Sequence, residues 1–154
     1  MLFDRNRVEF AGLAIKISSH WGEGGALRNI SFHNTHVVEA GIAINVDLGT
    51  TSRTNTSQLS SLDGLSVINL TSTNSVGCLP SVTPGFYCGG AGCLVGNELQ
   101  ALGRITMRNV TVTSRDAQTL PQIGWLCDNA SAIAADSVEP PVCVPAAPFV
   151  CSET

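Results

Sequence analysis

Helical periodicity is what this chain of 154 residues lacks above all: no long stretch repeats apolar residues at helical spacing, which points away from helix bundles. Aromatic residues make up only 5%, so a core must be aliphatic, as narrow stacked coils prefer. Charge is scarce too, at 13% of residues. The net charge is −4, the isoelectric point is about 5.2 and the seven arginines are scattered, so there is no nucleic-acid footprint and nucleic acid is not an expected partner. No apolar run approaches the length of a membrane span, and no membrane partner is expected. The six cysteines show neither Cys-x-x-Cys with partner histidines nor any other zinc spacing, and no metal or cofactor is expected. Lysine is almost absent, with Lys16 alone. A hydrophobic content of 44% nevertheless makes the chain globular rather than disordered.

What is present is a repeat. Phe3, Val8, Ala11, Gly12, Ala14 and Ile15 land on Phe32, Val37, Ala40, Gly41, Ala43 and Ile44 when the chain is slid 29 positions along itself without a gap. Met1/Ile30, Leu13/Ile42 and Ile17/Val46 are conservative pairs in the same alignment. Further on, Ile30-Ser31-Phe32-His33-Asn34 matches Leu65-Ser66-Val67-Ile68-Asn69 and Ile105-Thr106-Met107-Arg108-Asn109 at spacings of 35 and 40. Self-similarity of this kind marks a stacked repeat.

The repeated unit is an apolar/hydroxyl/apolar alternation closing on asparagine, which is strand chemistry, and the runs between units are rich in Gly, Ser, Asn and Thr, as turns require. A short strand recurring with turns of unequal length predicts an all-β fold, a parallel β-helix whose coils stack about 4.8 Å apart over a continuous apolar core. At roughly 20 to 30 residues per coil the chain holds about five to seven coils. One domain of coils is expected over residues 1–125, followed by an irregular, disulfide-stapled tail or cap rich in Pro and Ala over 126–154. Asn34, Asn69 and Asn109 share one register. Two readings are open for them: an asparagine ladder satisfying backbone groups at a turn, or sequon residues on surface turns.

Five sequons begin at Asn29, Asn55, Asn69, Asn109 and Asn129, and together with the cysteines they favour a secreted, disulfide-bonded glycoprotein. Met1-Leu2-Phe3-Asp4-Arg5-Asn6-Arg7 has no apolar signal core and already lies within a repeat unit, so the chain is expected to be the C-terminal part of a longer secreted protein, with missing N-terminal coils as its partner.

A family resemblance rests on particular stretches. Gly12-Leu13-Ala14-Ile15-Lys16, followed by Gly22-Glu23-Gly24-Gly25-Ala26-Leu27-Arg28-Asn29-Ile30-Ser31-Phe32, resembles the G-[VI]-R-I-K strand, Gly-rich turn and R-N-I-T-F strand of the polygalacturonases, glycoside hydrolase family 28. Gly41-Ile42-Ala43-Ile44-Asn45 looks like that family's following strand. Tyr87-Cys88 to Gly92-Cys93 is similar to its C-S-x-x-P-C loop, and Cys127-Asp128-Asn129-Ala130 with Pro140-Pro141-Val142-Cys143 to its C-x-N-A…P-x-x-C ending. The resemblance implies a right-handed parallel β-helix that hydrolyses α-1,4-galacturonosyl bonds in pectin with inversion, without a cofactor, and has acidic polysaccharide as its partner. It also implies disulfides Cys127–Cys143 and Cys88–Cys93, leaving Cys78 and Cys151 to pair or stay free.

Inversion requires an acid and a base carboxyl about 6.5 to 9.5 Å apart. The family's N-T-D, D-D and G-H-G motifs do not occur in the sequence, so no catalytic residue is assigned and this chain alone is expected to be inactive. If Leu13, Ile15 and Ile17 point inward, then Ala14, Lys16 and Ser18 face out, and one coil later so do Ala43, Asn45 and Asp47. Asp47 is the one carboxylate in these aligned positions, beside Ser18. The resemblance makes Lys16 the binder of a galacturonate carboxylate, the alternative being a solvated lysine, and Asn45 stands next to it as a candidate binding residue. Trp21 either stacks on a sugar ring or covers the solenoid edge. Ala14 stands where the motif has arginine, and Leu48 where the following coil has tyrosine. His33 and His36 have no nucleophilic partner and are read as structural. A noncatalytic extracellular β-helix that binds cell-wall polysaccharide is the alternative, and a different pectin-lyase-like fold with calcium ligands on further coils is a third.

Overall fold

The computed structural model describes residues 1–18, 25–48, 60–75, 91–96, 101–114, 124–130 and 132–143. Every regular element among them is a strand: β1 (Leu2–Asp4), β2 (Arg7–Glu9), β3 (Leu13–Ser18), β4 (Gly25–Val38), β5 (Ile42–Asp47), β6 (Ser60–Ser75), β7 (Gly92–Val95), β8 (Ile105–Ser114), β9 (Trp125–Asp128) and β10 (Ile133–Glu139). They form two sheets. One is ordered β1-β4-β6-β8-β10 with β2 also on β4, and the other β3-β5-β7-β9. All the pairings are parallel, and from β2 onward the chain visits the two sheets alternately. Parallel neighbours demand crossovers, and the turns and second-sheet strands between successive first-sheet strands supply them.

The strand pairing follows the sequence repeat residue for residue. Phe3 pairs with Phe32, Val8 with Val37 and Ile15 with Ile44. Ile30 pairs with Leu65 and Leu65 with Ile105. Like side chains are thereby stacked on like, which fills an aliphatic core: Ile15, Ile17, Ile44, Val46, Leu65, Val67, Leu70, Ile105, Met107 and Val110 are buried in one cluster. Where the stack carries aromatics they also meet, the Phe3 and Phe32 rings lying parallel with centroids 4.8 Å apart.

Left-handed residues break the strict alternation of these strands. In β4 the inward residues are Ile30 and then Thr35 and Val37; in β6 Leu65 and Val67, then Leu70 and Ser72; in β8 Ile105 and Met107, then Val110 and Val112. The parity changes at Asn34, Asn69 and Asn109, whose φ values are 50°, 56° and 51°. A residue in that conformation turns the chain and resets which face the following side chains occupy, and asparagine tolerates it better than most. Their amides form the ladder that was one of the two sequence readings: Asn109 Nδ2 donates to Asn69 Oδ1 at 3.1 Å, Asn69 Nδ2 to Asn34 Oδ1 at 3.0 Å and Asn34 Nδ2 to Asp4 Oδ1 at 2.8 Å. Arg5 and Ser137 occupy the same column at φ 56° and 55°.

Strand pairing runs past the expected boundary at 125/126. Residues Ile133–Glu139, assigned from sequence to an irregular tail, pair with β8 as β10. The strand was hard to see because it is the last on its sheet, so of Ile-Ala-Ala-Asp-Ser-Val-Glu only Val138 is buried. Cys127 is joined to Cys143, with Cα atoms 5.4 Å apart, so the segment after β10 is tied back to β9. Trp125 is buried in the core and its Nε1 donates to Pro140 O at 2.9 Å. Gly92, its neighbour on β7, has no room for a Cβ, which would stand 2.5 Å from both the Trp125 ring and Ile44 O.

Candidate functional site

The outer face of the β3-β5-β7-β9 sheet carries two of the three residues singled out from sequence for ligand binding, Lys16 and Asn45. Ile15, Ile17, Ile44 and Val46 point inward and are buried, so Lys16 and Ser18, with Asn45 and Asp47 paired to them in register, face outward. Lys16 is exposed, while Asn45 is half-buried and its Oδ1 is buried without a hydrogen-bond partner among the described residues. A buried amide oxygen left unpaired is costly, and such an atom marks a place where a donor belongs. An ammonium therefore stands one strand away from an unmet acceptor. That pair suits a ligand bearing both a carboxylate, for the lysine, and a hydroxyl, for the amide.

The next outward column, that of Ser18 and Asp47, contains a carboxylate that sequence reasoning missed. Asp47 pairs with Val95 and Val95 with Asp128, so Asp128 lies two strands beyond Asp47 on one outward register. At about 4.8 Å per strand their backbones are roughly 10 Å apart. Val95 is buried between them, so the strand face leaves no open position for the water and the glycosidic oxygen that an inverting pair must bracket. Long inserts before β7 and β9 hide this alignment in the sequence.

Other sequence candidates fall as follows. Trp21, Asn55, Cys78, Cys88 and Cys151 lie outside the described residues. Cys93 is buried and disulfide-bonded. Leu48 belongs to the core and Ala14 to the half-buried outer face. Asn29, Asn69, Asn109 and Asn129 are exposed, although Asn69 spends both ends of its amide in the ladder. His36 Nδ1 bonds Thr71 Oγ1 at 2.8 Å, a cross-strand tie that fits its structural reading. Among the described residues no group of three His, Cys, Asp or Glu side chains is placed to hold a metal ion, and no helix is long and apolar enough to cross a membrane.

A second polar feature, at the leading ends of β4, β6 and β8, was not foreseen. Arg28, Asn29, Ser61, Leu62, Asp63, Ala101, Gly103 and Arg104 line a surface groove of about 450 Å³. Arg28 pairs in register with Asp63, and Arg104 Nε and Nη2 donate to Asp63 Oδ1 and Oδ2 at 3.0 and 3.1 Å. Those hydrogen bonds hold the Asp63 carboxyl below its ordinary value, with the Arg104 and Arg28 charges adding to the effect, and Asp63 raises Arg104 in turn. The signal was hidden by an irregularity, since Gly64 N and Leu65 N both bond to Arg104 O, which displaces Arg104 by one position from an ungapped alignment.

Comparison with protein-family models, with curated proteins and with solved structures gives no match in any of the three.

Proposed function

We propose that the chain forms successive coils of a right-handed parallel β-helix and serves as a carbohydrate-binding segment of a secreted, polygalacturonase-like glycoside hydrolase. Alternation of the chain between two parallel sheets supports the solenoid, and the right-handedness of parallel crossovers gives its hand. A disulfide between Cys127 and Cys143 is consistent with an oxidising, extracellular setting. The observation that carries the functional reading is the exposed Lys16 in register with Asn45, whose Oδ1 is buried and unpaired. In this reading the ammonium takes a uronate carboxylate and the half-buried Asn45 amide takes a hydroxyl of the same sugar. The resemblance in the Gly12–Lys16 and Arg28–Phe32 stretches supplies the polysaccharide class, pectin.

Hydrolysis by this chain alone is not part of the proposal. The outward carboxylates of the Lys16 sheet face, Asp47 and Asp128, are separated by a buried valine, and an inverting pair of an enzyme built on these coils belongs on further coils. The test is direct: titrate the purified chain and its Lys16→Ala variant with galacturonate oligomers, and assay both for release of reducing sugar. Weaker binding by the variant and no turnover by either are expected. Equal affinities remove Lys16 from the site, and robust turnover overturns the carboxylate argument. Binding without any preference for charged over neutral oligomers favours instead a noncatalytic β-helix reading another wall polysaccharide.

A further inference from the structure

The groove between Arg28 and Arg104 lies on the other sheet from Lys16, and nothing in the preceding reading uses it. Its charges do not cancel. Asp63 is already engaged by Arg104 through two side-chain hydrogen bonds, while Arg28, in register with Asp63 on the neighbouring strand, makes no hydrogen bond or ion pair of its own among the described residues. Two guanidinium groups facing one carboxylate leave a single positive charge, in a concavity that also offers the Ser61 hydroxyl and the Asn29 amide. The geometry is maintained by backbone close approach. Gly103 N donates to Leu62 O at 2.8 Å, and a Cβ on Gly103 would come within 2.7 Å of Leu62 O and 2.9 Å of Asp63 Cα and Oδ1. Only glycine lets the 101–104 segment lie close enough to bring Arg104 onto Asp63.

We propose that this groove is a second anion site, in which the Arg28 guanidinium binds the carboxylate of an acidic sugar beside the Arg104–Asp63 pair. A planar guanidinium matches a carboxylate through two parallel N–H···O bonds. The residual single charge selects a monoanion. A dianionic phosphate gains more from the arginines but places its second charge against Asp63. Naming an acidic sugar rests on the reading above, whereas recognition of a carboxylate rests on the groove alone. Since Asn29 lines the groove and begins a sequon, a glycan on Asn29 and a bound ligand exclude one another.

The experiment is an NMR titration of the unglycosylated chain, following the arginine Nε–Hε signals, with galacturonate, acetate, galactose and inorganic phosphate as probes. Galacturonate and acetate are expected to shift the Arg28 signal and galactose to leave it unmoved. Because the site is exposed, Arg28→Gln is expected to weaken galacturonate binding at the groove by about fivefold, and Asp63→Asn to strengthen it by about twofold through removal of the competing carboxylate. Lys16→Ala should leave the Arg28 response intact, which separates failure of this site from failure of the Lys16 site. A response to acetate without added affinity for galacturonate keeps the carboxylate assignment and overturns the sugar. An Arg28 signal that ignores both carboxylates, an unchanged affinity in Arg28→Gln, or phosphate binding tighter than galacturonate overturns the proposal.

Discussion

Replacing Asn69 tests the central structural element of the β4-β6-β8 sheet, because that one side chain both donates and accepts in the ladder. It gives a hydrogen bond to Asn34 at 3.0 Å and receives one from Asn109 at 3.1 Å, and its backbone sits at φ 56°. Each bond between such groups contributes about 0.5 to 1.5 kcal/mol net, and exposure of the ladder places both near the lower end, for a total of about 1 kcal/mol. An alanine in the left-handed region adds roughly 1 kcal/mol of backbone cost, which glycine does not incur. Asn69→Ala is therefore expected to lose about 2 kcal/mol and Asn69→Gly about 1 kcal/mol. With a urea m-value of about 2 kcal/mol per molar, the alanine variant shifts the unfolding midpoint by about 1 M. Equilibrium urea unfolding followed by circular dichroism measures it, provided that the m-value is constant across the variants. Both variants matching the parent would show that the ladder adds nothing, and a glycine variant as weak as alanine would refute the backbone half of the argument.

Gly92→Ala should destabilise by roughly 1 to 3 kcal/mol or more, since its Cβ meets Trp125 and Ile44 O at 2.5 Å; a lower urea midpoint and a red-shifted tryptophan emission would register it, and an unperturbed variant would contradict the packing of Trp125. Replacing Cys127 and Cys143 together by serine opens a loop with a sequence separation of 16 and should cost about 3 kcal/mol, read from thermal or urea unfolding. Because the folded-state pKa of Asp63 is depressed, its contribution to stability is present above the unfolded value of about 3.9 and is lost as pH falls through the folded value. Asp63→Asn should remove that component of acid destabilisation, and a carboxyl NMR titration of Asp63 that follows the ordinary value would contradict the Arg104 pairing.

The repeat was legible because parallel strands place identical registers in contact. Ile15 on Ile44, and Ile30 on Leu65 on Ile105, must match in size and polarity to pack, so the stacking leaves a period that alignment of the chain with itself detects. The asparagines at Asn34, Asn69 and Asn109 were legible for a related reason, since a left-handed turn repeated at every level calls for the same tolerant residue. Outward positions of β3 and β5 followed from alternation for Lys16, Asn45 and Asp47, which share one face, but not for Ala43, which is fully buried in the core cluster. The strand at Ile133–Glu139 was not legible, because an edge strand with one buried residue carries almost no apolar signal.

The sequence by itself therefore determined the all-strand character, the spacing of the repeats and the outward face carrying Lys16 and Asn45, all of which depend on local alternation and on like stacking against like. Tertiary structure alone decided the rest. Asp128 comes into the Asp47 column only through two successive strand pairings, with Val95 in between. Arg104 reaches Asp63 only because two backbone amides share one carbonyl and Gly103 admits a close approach, neither of which leaves a periodic trace. The unpaired state of Asn45 Oδ1 depends on what surrounds a single atom. Contacts made between equivalent positions of a repeat are written in its period, whereas those made where the repeat is interrupted depend on distances that no period encodes.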